Sequence, residues 1–226
     1  MVDGDQEKRK IWAKIIQRRT EIGYPYILFS DTVNNNTVDV YKDKGLRIHG
    51  SNLCSEIALP TNDELSFVCC LSSINLRHYH DWKDTDAVET LTMFLDTVIG
   101  EFVERLESFR DSEDPQKQSA FYFMQRAHKF AKEHRALGLG VLGWHSFLQE
   151  NNIAFESAEA SILNNEIFAL IKEKAYKASE EMAKEYGEPE VLKGYSRRNT
   201  TLLAIAPTTS SAFILGQVSQ CIEPLM

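Results

Sequence analysis

Two hundred and twenty-six residues, 43% of them apolar and 26% charged, allow one globular domain or two small ones around a real hydrophobic core. Asp and Glu outnumber Lys and Arg by 33 to 25, a formal net charge of -8, so no global basic field exists to hold a nucleic-acid backbone. The charged start, Met1 to Lys10, has no apolar signal core behind it and no run approaches the roughly 18 apolar residues of a membrane span, which makes the expected location cytoplasmic, with no membrane and no nucleic-acid partner.

In chain order, Ile11, Trp12, Ile15 and Ile16 fall on one face of a basic opening helix that ends near Gly23. Pro25 then leads into Tyr26 to Phe29, an aromatic-aliphatic run that reads as a buried strand. From Ser30 to Gly50 the polar composition predicts an exposed connection. Leu53 to Leu59 and Ser66 to Leu71 are strand-like, separated by the turn chemistry of Pro60-Thr61-Asn62-Asp63. After Trp82 the apolar period becomes 3.6: Val88, Leu91, Leu95, Val98, Phe102, Val103 and Leu106 form one stripe, with Asp84 or Thr85 as N-cap. Asp111 to Gln118 is a polar break before a helix over Phe121 to His134, and Ser157 to Tyr186 is another strong helix stopped by Gly187 and Pro189. Leu202 to Ala206 reads as a strand opening into a hydroxyl-rich turn, Thr208 to Ser211. No repeat or linker divides the chain, so residues 1–226 are expected to form a single α/β unit.

Several groups carry chemistry. Asn52, Cys54 and Glu56 alternate, so an extended backbone would put an amide, a thiol and a carboxylate on one side, with Leu53 and Ile57 on the other. An edge strand with a buried structural cysteine fits the same spacing. Four cysteines, Cys54, Cys69, Cys70 and Cys221, are too few for a secreted disulfide scaffold; the adjacent pair Cys69-Cys70 suits neither zinc nor a loop-closing disulfide and fits equally well as two small residues filling a strand. His78 and His80 lack the further ligands a metal site needs, so none is expected. Gly138-Leu139-Gly140-Val141-Leu142-Gly143 matches the dinucleotide fingerprint letter for letter, but charged, helical Phe130 to Arg135 stands where a strand is required, and close backbone packing in a turn is the expected use of these glycines. Pro207 and the four hydroxyls after it could cradle a phosphate or simply cap a turn, and Arg197-Arg198 reads as solvated surface.

Four blocks in order, Ser51 to Ile57, Cys69 to Leu76, Arg135 to Gly143, and Arg198 through Pro207-Thr208-Thr209-Ser210-Ser211 to Pro224, together resemble the large catalytic subunit of class I ribonucleotide reductase, from about Gly23 to Pro224. The resemblance implies an α/β fold, helix-rich, that is part of the family's ten-stranded barrel, with a finger loop at about 50–60 and a phosphate loop at about 207–212. It implies that Cys54 carries a transient thiyl radical in a water-shielded site, Glu56 acts as base on the substrate 3'-hydroxyl, Asn52 orients the substrate, and Cys69 is one half of the reducing dithiol. Pro207, Thr208, Thr209, Ser210 and Ser211 would hold the diphosphate of a ribonucleoside diphosphate. Implied partners are the radical-generating small subunit, which carries the metal radical cofactor, and a thioredoxin or glutaredoxin reductant; dNTP and ATP effectors regulate the family, and no cofactor is expected in this segment. The dithiol partner of the family has no counterpart here because no cysteine precedes Cys54, the effector site has none in the residues before Gly23, and the radical-transfer tyrosines and C-terminal cysteine pair have none because only Leu225 and Met226 follow Pro224. The expectation is a chain inactive alone that works with upstream and downstream large-subunit segments; the alternative is a noncatalytic remnant that binds nucleotide or reductase subunits.

Overall fold

A computed structural model describes residues 4–225. Helix α1 (Gln6–Ile22) is closed at both ends: the Asp5 carboxylate accepts from Lys8 N at 3.1 Å, and left-handed Gly23 donates back to the Arg19 carbonyl at 2.8 Å. None of its residues is buried, and Ile11, Trp12 and Ile16 face outward. The expected strand at Tyr26 to Phe29 does not form. An apolar run becomes a strand only where another strand takes its backbone groups, and here the segment stays irregular, with Phe29 74% exposed and Tyr26 stacked on Tyr24 at 5.1 Å.

The segment expected to be an exposed connection is instead folded, as α2 (Ser30–Asn35) and α3 (Asp39–Asp43). Its polar residues work locally. The Asn34 amide donates to the carbonyls of Ser30 and Ile48 and accepts from Ile48 N at 2.9 Å, which pins the segment and buries Val40, Tyr41 and Ile48. Leu53 to Leu59 forms no strand, a turn at 53–55 being followed by irregular backbone, and the Ser66 to Leu71 prediction holds only where β1 (Leu71–Asn75) begins. Between them the Asn62 carboxamide accepts from Glu64 N and Leu65 N, the Asx turn that its composition called for.

After the single-turn helix α4 (Tyr79–Trp82), α5 (Ala87–Arg110) and α6 (Pro115–His134) pack against each other. The start of α5 is served by the Thr85 hydroxyl, which accepts from Ala87 N at 3.3 Å, and α6 opens on Asp114 with Pro115 in its first turn. Val88, Leu95, Val103 and Leu106 bury the predicted stripe, whereas Val98 turns outward. Beyond α6, β2 (Gly138–Leu142) pairs in parallel with β1, Leu71 opposite Gly138 and Asn75 opposite Leu142. On its other side, Leu139 bridges Leu203 in parallel, so the predicted final strand shrinks to a short pairing around that residue. Helices α7 (Trp144–Glu150) and α8 (Ala158–Tyr186), the latter capped by the Ser157 hydroxyl, complete the main core with α5 and the strands, and α9 (Thr209–Ile214) ends the ordered elements. Among the described residues no helix is long and apolar enough to cross a membrane.

The glycine run is the buried strand β2 itself, not a turn. A Cβ on Gly138 would run into Leu71 and Ala204, and one on Gly140 would strike the Ala204 carbonyl, so the side-chain-free backbone is what lets residues 203–204 lie against β2. Gly140→Ala is expected to cost roughly 1–3 kcal/mol by overpacking, seen as a lower urea midpoint at unchanged slope; an unchanged midpoint would refute the close approach.

Candidate functional site

Residues 51–57 fold as a closed turn, so the alternating geometry expected of an extended chain does not apply. Ser51 Oγ donates to the Ile57 carbonyl at 2.7 Å, Ile57 N donates to Asn52 Oδ1 at 3.2 Å, and Ser55 N donates to the Asn52 carbonyl at 3.1 Å with Ser55 at a φ of 66°. Asn52 therefore shapes the loop, leaving its Nδ2 as the remaining donor. Leu53 and Cys54 sit at the tip, where Leu53 is 75% exposed, while Ile57 is buried; the two apolar residues thus separate instead of sharing a face. The Cys54 thiol, expected to be shielded from water, is exposed because nothing among the described residues covers the tip. That also removes the reading of a buried structural cysteine.

Glu56 follows the tip and turns inward. Its Oε2 is buried and has no hydrogen-bond partner among the described residues. It lines a pocket of about 200 Å³ together with Asn36, Thr37, Cys69, Leu137, Gly138 and Thr201. Cys69 and Cys70 both belong to this wall but differ in burial. Cys69 is exposed at the pocket, and burial there, then the charges of Glu56 and Cys54, push its thiol above the ordinary range. Cys70 is buried and donates its Sγ proton to the Leu95 carbonyl at 3.4 Å, a small core residue. Glu56 and Cys69 thus share one pocket wall, and Cys54, two residues before Glu56, is close enough for its charge to reach the Cys69 thiol.

The hydroxyl segment stands apart from that pocket. It is reached from the pocket wall at Thr201, Leu203 and Ala204 by continuing along the chain through exposed Pro207. Thr208, left-handed at a φ of 57°, accepts from Cys221 N at 2.9 Å, and Thr209 donates to Gln220 Oε1 at 2.8 Å. Two of the four hydroxyls therefore fasten the turn to the chain after α9. Ser210 and Ser211 remain exposed, and the backbone N–H groups of Thr209 to Ser211 open a helix, where no intrahelical acceptor exists. Cys221 is buried and held by this tether.

His78 and His80 make separate contacts. His78 Nδ1 lies 3.1 Å from Asp81 and the His80 ring packs on Tyr79 and Phe147. His134, fully buried against Phe130, is pushed down by burial to about 4 and is neutral at physiological pH.

Arg197 and Arg198 correct the expectation of solvated surface. Arg197 is buried, forks onto Asp39, and leaves its Nε buried without a partner. Arg198 Nε donates to Asp96 Oδ2 at 2.9 Å and its Nη1 to the carbonyls that end α8. Asp96 is the centre of a buried network that also takes Arg135 Nε at 2.7 Å, Arg135 Nη2 at 2.8 Å and Asn199 Nδ2 at 2.8 Å. The Ser179 hydroxyl on α8 completes it by donating to Asn199 Oδ1 and accepting from the backbone N–H groups of Arg198 and Asn199. Burial acts to raise the Asp96 carboxyl, but the two guanidinium groups outweigh it and hold the group below the usual range. This network was missed; its signal was Thr92 and Asp96, polar residues one helical turn apart on the buried stripe of α5.

A family model described as the ribonucleotide reductase barrel domain matches residues 4–197. The putative ribonucleoside-diphosphate reductase large subunit of Frog virus 3 (isolate Goorha) is 44% identical over 216 residues, covering 96% of this chain and 36% of that protein. The corresponding large subunit of Danio rerio is 31% identical over 248 residues, covering 96% of this chain and 29% of that protein. Among solved structures, the Actinobacillus ureae class Id ribonucleotide reductase alpha subunit superimposes with a TM-score of 0.87 at 57% identity, over 98% of this chain and 40% of that one. The chain thus spans about a third of the length of the relatives it matches.

Proposed function

Because this chain belongs to the ribonucleotide reductase barrel-domain family, we propose that it supplies the radical site of a ribonucleoside-diphosphate reductase large subunit. The pocket wall that Glu56 and Cys69 share, with Cys54 two residues before Glu56 and within charge range of Cys69, carries this reading. Cys54, oxidised to a thiyl, takes the 3'-hydrogen of the ribose; thiol S–H and ribose C–H bonds are close enough in strength for that abstraction to be reversible. Glu56, whose buried Oε2 lacks a protein donor, accepts the 3'-hydroxyl proton. Asn52 keeps Cys54 and Glu56 on the same short turn and offers Nδ2 to the substrate. Loss of the 2'-hydroxyl as water then draws on Cys69 and a second thiol supplied by another part of the large subunit. Residues 207–212 take the diphosphate through the free N–H groups at the start of α9 and the Ser210 and Ser211 hydroxyls. The unit so assigned is one partial barrel domain, residues 1–226, with its finger loop at about 50–60.

Exposure of the Cys54 tip fits a site that other large-subunit segments close. The radical-generating small subunit and a thioredoxin-type or glutaredoxin-type reductant complete the proposed enzyme, acting in the cytoplasm on ribonucleoside diphosphates under nucleotide effector control. Mixing the chain with the remaining large-subunit segments and the small subunit should yield deoxyribonucleotide only when the chain is present. If the mixture binds ribonucleoside diphosphate without turnover, the chain is a noncatalytic nucleotide-binding remnant.

A further inference from the structure

The four cysteines divide cleanly by environment. Cys70 and Cys221 are buried, while Cys54 and Cys69 are exposed, Cys69 at the pocket that Glu56 also lines. Glu56 links them spatially: it lies two residues after Cys54 and shares the pocket wall with Cys69, and the Cys54 and Glu56 charges both reach the Cys69 thiol. Within the tip, one backbone hydrogen bond, from Ser55 N to the Asn52 carbonyl, closes the turn, and neither Leu53 nor Cys54 belongs to a hydrophobic core cluster among the described residues. Bringing the tip toward Cys69 breaks no contact of those clusters.

We propose that Cys54 and Cys69 are a modification site, joined by an intramolecular disulfide when the chain meets a low-molecular-weight disulfide oxidant such as oxidised glutathione. Cys54 thiolate attacks one sulfur of the oxidant; the oxidant's S–S bond breaks, a mixed disulfide forms on Cys54, and one glutathione thiolate leaves. Cys69 thiolate, its proton released to solvent, then attacks the Cys54 sulfur and expels the second glutathione thiolate. Two protein thiols are oxidised and one oxidised glutathione is reduced to two glutathiones. Since the thiolate is the attacking species and Cys69 is held protonated by burial and by Glu56, the second step is the slower one and quickens as pH rises. Resting on the radical assignment above, the consequence is an off state: the link removes the hydrogen that Cys54 must lose and occupies the thiol that must reduce the substrate.

The test is chemical and needs no turnover, so it stands or falls separately from the radical assignment. The purified chain is treated with oxidised glutathione at neutral and alkaline pH, blocked with iodoacetamide, cleaved after Glu56 and Glu64, and mapped by mass spectrometry without reduction. The expected product is the Cys54 peptide joined to the peptide holding Cys69, more abundant at alkaline pH. It should vanish in Cys54→Ser and Cys69→Ser and persist in Cys70→Ser. Both substitutions at the pair fall on exposed thiols, so circular dichroism should report an unchanged fold. Glutathione on Cys54 with no linked peptide at either pH overturns the proposal, as does a link that runs through Cys70 or Cys221.

Discussion

Cys54→Ser is expected to lower deoxyribonucleotide formation in the reconstituted reductase by at least about a thousandfold, in line with removal of a reacting group that acts as part of a unit. Serine changes one atom at an exposed turn tip, so stability and nucleotide affinity should not change. What changes is bond strength: a serine O–H is far stronger than the thiol S–H, so the residue can neither be oxidised at the required potential nor return a hydrogen reversibly. Glu56→Gln keeps the size and burial of the side chain but removes the base, and a loss of roughly 10²–10⁴-fold follows from general-base catalysis. The ranking is the diagnostic. Chromatographic assay of deoxynucleotide would contradict the assignment if Cys54→Ser retained turnover within a factor of ten, or if Glu56→Gln were the more damaging change.

The largest effect on stability is expected at Asp96. Removing this carboxylate by Asp96→Ala strands Arg135, only 7% exposed, and takes away the acceptor shared with Arg198 and Asn199. Breaking a buried pair from one side costs roughly 3–5 kcal/mol, a large part of the stability of an ordinary domain. Urea unfolding measures it directly. Because the folded carboxyl is held below its unfolded value, its contribution is complete above the ordinary carboxylate range and drains away as pH falls through it. The native chain should therefore show an acid loss of stability that Asp96→Ala has already suffered at neutral pH. Equal urea midpoints for the two chains would dismiss the network as a stabilising feature.

What could be read in advance follows the range of the forces involved. Helices with caps and periodic stripes, such as α8 behind Ser157 and α6 up to His134, depend on neighbours three or four positions away and were recognisable as strings. Tyr26 to Phe29 failed because a strand is a property of a pair, and its composition does not say whether a partner exists. Ser30 to Gly50 failed for the opposite reason: Asn34 spends its amide on the chain itself, so polarity did not mean exposure. The arginines illustrate distance most plainly, since Arg197 finds Asp39 across 158 positions and Arg198 finds Asp96 across 102. At the site, the grouping of amide, thiol and carboxylate was legible, but the turn that presents them depends on hydrogen bonds that spacing alone does not encode.

One carboxylate that answers two arginines and an amide also shapes how this sequence can drift. A change at Asp96, Arg135 or Asn199 unbalances partners that are themselves buried, with half-buried Arg198 at the edge of the same network. A neutral path between alternative solutions has to alter several of them at once, so the four positions should be inherited as a block. A chimera with a relative that carries a different set would have to import all four together, although they come from three separate stretches of the chain.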